Sequence, residues 1–212
     1  MDESVRLNGG TSPGSSGAGQ VGAVARSPLG ASASRPWRVA SGVDAEFWEL
    51  PFCAQLNLRL APAAPALADL DRALGLRLPL VPNRATSGGG LRALWLGPDE
   101  WLVVGPPGDS RALAASLEAV AAPHGGSVVD VSAQRTVLEL RGPRAREVLS
   151  AGCSIDLHPA AFEADACAQT MLARVDVVLE RPAPGTFRIL VRASFAPYLA
   201  RWLGEVLAEG SA

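Results

Sequence analysis

The chain has 212 residues, 48% of them hydrophobic, with a formal net charge of −2. That length can hold one compact domain or two small ones around a real core, and that charge gives no clustered basic face for nucleic acid. All 19 basic residues are arginine, which excludes a lysine Schiff base, a P-loop lysine and a lysine general base.

Residues 1–36 are rich in Gly, Ser, Ala and Pro with almost no large apolar side chains. Such a segment buries too little surface to offset its ordering entropy, so a disordered extension that adds little stability is expected. Met1-Asp2-Glu3 lacks the basic end and apolar run of a secretory signal, and no stretch approaches the ~20 apolar residues that span a bilayer. A soluble, cytoplasmic protein is expected. Cys53, Cys153 and Cys167 form neither a close metal-ligand pair nor an even disulfide set, and they read as reduced thiols.

A folded region is expected over 37–208, with regular structure from Phe52 and a flexible tail over 209–212. Ala54 to Leu60 alternates apolar and polar residues, the pattern of a half-buried strand. Leu67, Leu70 and Leu74 follow at helical spacing, and Gly75 suits the helix end. Pro79 to Gly90 reads as a loop. Leu91–Leu96 and Trp101–Val104 flank the turn Gly97-Pro98-Asp99-Glu100 as a hairpin, and Asp109 or Ser110 caps a helix carrying Leu113, Leu117 and Val120. The second half repeats the plan. Thr136–Arg141 is a strand, Gly142-Pro143 opens a helix, and Met171–Glu180 and Thr186–Arg192 form a strand pair. Ser194 then caps a last helix bearing Leu199, Trp202, Leu203 and Leu207. The fold class is therefore α+β: two similar β-α-β-β-α lobes, about 52–122 and 127–208, forming one unit.

Catalytic signatures are missing. Gly88-Gly89-Gly90 precedes a strand and not a helix, so it does not present helix N–H groups to phosphate. Asp156 and His158 are spaced either to orient an imidazole for base work or to close a turn in which the two side chains hydrogen-bond, and no third ligand accompanies them for zinc. Asp130, Ser132 and His158 contain the residue types of a triad, but Ser132 lacks the flanking glycines of a nucleophile elbow. Trp95 and Trp101 bracket the first hairpin as a stacking platform, as core, or as a subunit contact. Glu139 and Arg141 alternate on one strand face, with Arg144 and Arg146 on the next helix, as a solvated face or a docking rim. No catalytic, cofactor-binding or metal-binding residue is assigned. Trp95, Trp101, Asp130, Arg135, Arg141, Asp156 and His158 stand as interface or structural candidates.

Longer words carry more. Trp95-Leu96-Gly97-Pro98-Asp99-Glu100-Trp101-Leu102 resembles the central motif of heterotetrameric sarcosine oxidase gamma subunits. Val129 to Thr136, Leu140 to Leu149, Gly152 to Pro159 and Phe187 to Phe195 continue the resemblance, which covers about 51–207. The resemblance implies a fold related to the folate-binding domain of glycine-cleavage aminomethyltransferases. It implies a supporting, non-catalytic role in a complex with alpha, beta and delta subunits that demethylates sarcosine oxidatively to glycine. That complex makes hydrogen peroxide and passes the one-carbon unit to tetrahydrofolate or releases formaldehyde. FAD, FMN and NAD are expected on the large subunits and zinc on delta, with no cofactor on this chain. The rival is a stand-alone folate-binding protein of the same fold. The folate protein of iron–sulfur cluster maintenance is set aside, because its Lys-Gly-Cys-Tyr motif is replaced here by Ala151-Gly152-Cys153-Ser154.

Overall fold

The computed structural model describes residues 26–30, 38–42, 44–108 and 110–209, the stretch 38–42 as a backbone path. Most of the expected extension, the capping candidate Asp109 and residues 210–212 lie outside the described residues. Glu209, placed in the tail by sequence, ends the last helix.

The chain opens on a hairpin of β1 (Arg38–Gly42) and β2 (Ala45–Leu50), then runs through β3 (Ala54–Arg59) into α1 (Leu67–Leu74). Helix α1 buries Leu70 and Leu74 and stops at Gly75, whose φ of 68° is left-handed, a conformation that costs glycine no Cβ clash. Three antiparallel strands follow: β4 (Ala85–Gly88), β5 (Leu91–Gly97) and β6 (Glu100–Gly105). Helix α2 (Ser110–Ala121) and β7 (Ser127–Asp130) complete a five-stranded sheet of order β4-β5-β6-β3-β7, sheet 1.

The second half supplies β8 (Arg135–Arg141), α3 (Ala145–Ser150), β9 (Ala166–Leu172), β10 (Val175–Ala183), β11 (Thr186–Arg192) and α4 (Ala196–Glu209). Sheet 2 has the order β1-β2-β8-β11-β10-β9, antiparallel throughout. Gly142, at φ 133°, joins β8 to α3 where an added Cβ would lie 2.0 Å from the Asp44 carbonyl, so the position has room only for glycine.

The two halves therefore share a four-strand core order, β4-β5-β6-β3 against β9-β10-β11-β8, each with an antiparallel fifth strand beside the first. The fifth strand has a different origin in each lobe. Sheet 1 takes β7, which the sequence reading put at the start of the second lobe, and sheet 2 takes β2 from ahead of the first lobe. The chain thus passes from sheet 2 to sheet 1 and back, so that sheet 1 comes from the continuous stretch 54–130 while sheet 2 is assembled from two separate segments. Gln55, fully buried, ties the two crossings together: its N–H donates to Ser132 Oγ at 2.9 Å, its Nε2 donates to the Arg135 carbonyl at 2.9 Å, and its carbonyl accepts from Val131 N–H at 2.9 Å.

Several expectations change. The strand pair β1–β2 precedes Phe52. The expected loop 79–90 contains β4. The single strand Met171–Glu180 is the end of β9, a turn at Ala173-Arg174, and most of β10. Ser194 falls in a 3-10 turn, Ala193–Phe195, leading into α4. Residues 26–30, inside the supposed extension, are packed: Ser27 is buried with its hydroxyl donating to Glu49, and Leu29 lies against the lobe 2 core.

Outer sheet faces carry the helices. Leu56, Leu58, Ala93, Trp101 and Val103 pack under α1 and α2, while Leu138, Leu140, Val177, Leu179 and Ile189 pack under α3 and α4. Each such valine, leucine or isoleucine side chain, fully buried, contributes roughly 1.5–3 kcal/mol. Among the described residues no helix is long and apolar enough to cross a membrane.

Candidate functional site

The inner faces of the two sheets meet in a third cluster. Ala85, Leu94 and Leu102 of sheet 1 pack there on Val137, Val178, Leu190 and Cys167 of sheet 2. Alternation on each strand carries the inner face of sheet 2 beyond this cluster on both sides. Two clefts result.

The first is a cavity of about 380 Å³ lined by Leu50, Cys53, Arg92, Val104, Val137 and Arg188, among others. Buried charge surrounds it. Glu139 on β8 and Glu180 on β10 are only 2% and 1% exposed, with Arg188 of β11 opposite both in register. Arg188 Nε donates to Glu139 Oε2 at 2.7 Å, and Arg141 pairs with the same carboxylate at 2.5 Å while lying 5.1 Å over the Trp48 ring. Arg92 reaches across from sheet 1 to pair with Glu180. A carboxylate this deep without such a partner would be several kcal/mol less stable. Burial still pushes the Glu180 carboxyl above its usual range, with Arg92 pulling it back. Burial also raises the Cys53 thiol, against the opposing field of Arg188, and pushes Cys167 up to about 12. Both thiols are held protonated and are poor nucleophiles.

The second cleft, about 410 Å³, is lined by Arg135, Gln169, Met171, Asp176, Val178 and Arg192, among others. Arg135 and Arg192 are register partners on β8 and β11. Burial lowers the Arg135 guanidinium from its ordinary value, and the like charge of Arg192 adds to this.

The seven sequence candidates are scattered. Trp101 is fully buried in the lobe 1 core, its indole Nε1 donating to the Pro79 carbonyl at 2.7 Å. Trp95, its register partner, is half-buried against the inter-sheet cluster. Asp130 is exposed at the end of β7. It accepts from Ser110 Oγ at 2.5 Å and from Ser132 Oγ and N–H at 2.6 and 2.9 Å, bonds that hold its carboxyl below the usual carboxylate range. Ser110 therefore joins α2 to the lobe crossing. Arg135 and Arg141 stand at opposite ends of β8, one in each cleft region. Asp156 and His158 are exposed in one turn, but the carboxylate accepts from the His158 backbone N–H at 2.8 Å, and the imidazole Nδ1 accepts from Ala160 N–H at 3.2 Å. Each thus bonds to backbone and not to the other's side chain. Glu139, read as solvated face or docking rim, is buried between the sheets.

Sequence reasoning passed over Glu49, Arg92, Glu180 and Arg188. The signal it could have used is a carboxylate embedded in an apolar strand, Leu138-Glu139-Leu140 or Val178-Leu179-Glu180. Glu49 is fully buried on the helix side of sheet 2, where Thr136 Oγ1 at 2.6 Å and Ser27 Oγ both donate to it. Among the described residues no group of three or more His, Cys, Asp or Glu is placed to hold a metal ion.

Residues 59–209 match the model of the sarcosine oxidase, gamma subunit family. The chain belongs to that family. It is 38% identical over 187 residues to a sarcosine oxidase subunit gamma from Corynebacterium sp. strain P-1, covering 88% of this chain and 91% of that one. It is 39% identical over 162 residues to a sarcosine oxidase subunit gamma from Arthrobacter sp., covering 76% and 79%. Its fold superposes, with a TM-score of 0.76 and 37% identity, on a chain of the heterotetrameric sarcosine oxidase of Corynebacterium sp. U-96 solved with pyrrole 2-carboxylate, covering 82% of this chain and 89% of that one. The aminomethyltransferase T of the glycine cleavage system of Bartonella henselae shares the fold alone, at a TM-score of 0.58 and 18% identity, over 76% of this chain and 46% of that one.

Proposed function

We propose that this chain is an assembly subunit of a cytoplasmic heterotetrameric sarcosine oxidase, bound to alpha, beta and delta subunits. The complex demethylates sarcosine oxidatively to glycine, forms hydrogen peroxide, and transfers the one-carbon unit to tetrahydrofolate or releases it as formaldehyde. FAD, FMN and NAD reside on the large subunits, zinc on delta, and tetrahydrofolate is likewise bound outside this chain. The gamma subunit contributes surfaces and none of the reacting groups. Trp95, Trp101, Asp130, Arg135, Arg141, Asp156 and His158 are in this reading structural or interface residues.

Membership of the gamma subunit family carries this reading, and the first cleft agrees with it. Of the buried carboxylates that line or flank it, Glu139 and Glu180 are each committed to an arginine, and Glu49 is held by the hydroxyls of Ser27 and Thr136. A general acid or base needs a group free to exchange its proton with a substrate. Purifying the tagged chain from its native cell tests the proposal. Three further subunits, flavin absorbance and sarcosine-dependent peroxide formation are expected. A colourless protein without partners that binds folate would overturn it in favour of the stand-alone folate protein.

A further inference from the structure

Arg135 and Arg192 differ from the other arginines on the inner face of sheet 2. They sit directly opposite each other on β8 and β11, on the same face, and neither guanidinium makes a hydrogen bond or ion pair among the described residues. Like charges in that position destabilise a sheet. The carboxylate whose field acts on Arg135 is Glu100, and that group is engaged by Arg59 at 2.5 Å and Asn57 at 2.7 Å. Arg92, Arg141 and Arg188, on the other side of the inter-sheet cluster, each meet a buried glutamate.

We propose that the cleft holding Arg135 and Arg192 is a docking surface for another subunit of the complex, which seats an aspartate or glutamate side chain between the two guanidiniums. This rests on the reading that the chain works within a complex. Planar guanidinium forks match a carboxylate in two parallel hydrogen bonds, and two forks on adjacent strands grip it from both sides. Met171, 47% exposed, supplies an apolar wall beside them, and arginine and methionine are both enriched in interface cores. Asp176 lines the same cleft and disfavours a polyanion, so a single carboxylate fits where a polyphosphate does not. Convergent polar groups that would hold a free small acid are lacking, because the Gln169 amide is already bonded to the Leu96 carbonyl and the Thr170 hydroxyl to Ser154.

The test co-expresses the tagged full chain with its partner subunits, as wild type, as Arg135→Gln with Arg192→Gln, and as Arg135→Glu with Arg192→Glu. Partner recovery is measured at low and high salt, and the thermal midpoint of each chain alone is recorded. Charge reversal is expected to cut recovery about tenfold or more, the glutamine pair to cut it less and to flatten its salt dependence. Midpoints of the glutamine pair should stay within about 2 °C of wild type. Should the reversed chain fail to fold, the glutamine pair decides. Unchanged recovery and salt dependence in a folded glutamine pair would overturn the docking surface while leaving the subunit role intact. Stabilisation of the wild-type chain by acetate, lost in the glutamine pair with partner recovery unaffected, would overturn it in favour of a small-acid site. A wild-type chain that recovers no partner would instead bring down the subunit role itself.

Discussion

The two clefts beside the inter-sheet cluster share β8 and β11, the first adding β2, β5 and β6 and the second β9 and β10, yet the arginines of one are matched within the chain and those of the other are not. Around the first, three arginines share two glutamates, both nearly out of reach of water. In the second, two arginines face each other and the nearby acid, Asp176, makes no ion pair with either among the described residues. Burial explains the contrast. Charge sealed between sheets must be matched inside the chain, since an unpaired buried ion costs several kcal/mol, whereas charge at an open margin can wait for a partner from outside. A matched interior and an unmatched margin are what a subunit needs if it is to hold its own shape and still be recognised.

Removing one arginine from each cleft sharpens the contrast most. Arg92→Met leaves Glu180 buried without its pair and should lower the unfolding free energy by about 3–5 kcal/mol. Arg192→Met should stay within about 0.5 kcal/mol of wild type in the isolated chain. Equal losses in denaturant unfolding of the two variants would erase the distinction. A smaller effect is expected at Ser27→Ala, which deprives buried Glu49 of one of its two hydroxyl donors and should cost about 1–3 kcal/mol. A null result there would return residues 26–30 to the role of an idle extension.

The pH dependence of the thermal midpoint gives the finest test. Burial raises the Glu180 carboxyl above its unfolded value, so the folded chain holds that proton longer. Its contribution is then complete below the ordinary carboxylate range and declines as pH rises through the raised folded value. Asp130 runs the other way: hydrogen bonds lower its carboxyl, so its contribution is complete above the ordinary range and is lost on acidification through the lowered value. Glu180→Gln should flatten the first slope and Asp130→Asn the second. Identical pH profiles for the two variants would contradict the assignment.

How much of this was legible follows from where each signal lies. Strands β3, β5, β6 and β8 show in the sequence because apolar residues alternate or run between turn residues, and Gly75 marks the end of α1 for a purely local reason. Strand β2 is hidden because Glu49 occupies a core-facing position, which only the hydroxyls of Ser27 and Thr136 make tolerable. The β9–β10 turn is hidden because Ala173 adopts a left-handed φ of 54° with no glycine, asparagine or proline to announce it. Four residues of β4, Ala-Thr-Ser-Gly, have no apolar run to betray them. At the clefts the limit is distance along the chain. Arg92 and Glu180 are 88 residues apart, and nothing local tells either of the other. The family words around Trp95 to Leu102 were legible because they are local, and they located a hairpin of the fold without locating either cleft.

Turnover per flavin in the purified complex tests the central claim, that this subunit supports assembly without joining the chemistry. Complexes carrying Glu139→Gln or Glu180→Gln in this chain should be recovered in lower yield but turn over sarcosine at the wild-type rate per flavin. A loss of about a hundredfold in that rate, with all four subunits present in normal proportion, is what removal of a general acid or base would produce, and it would contradict the account.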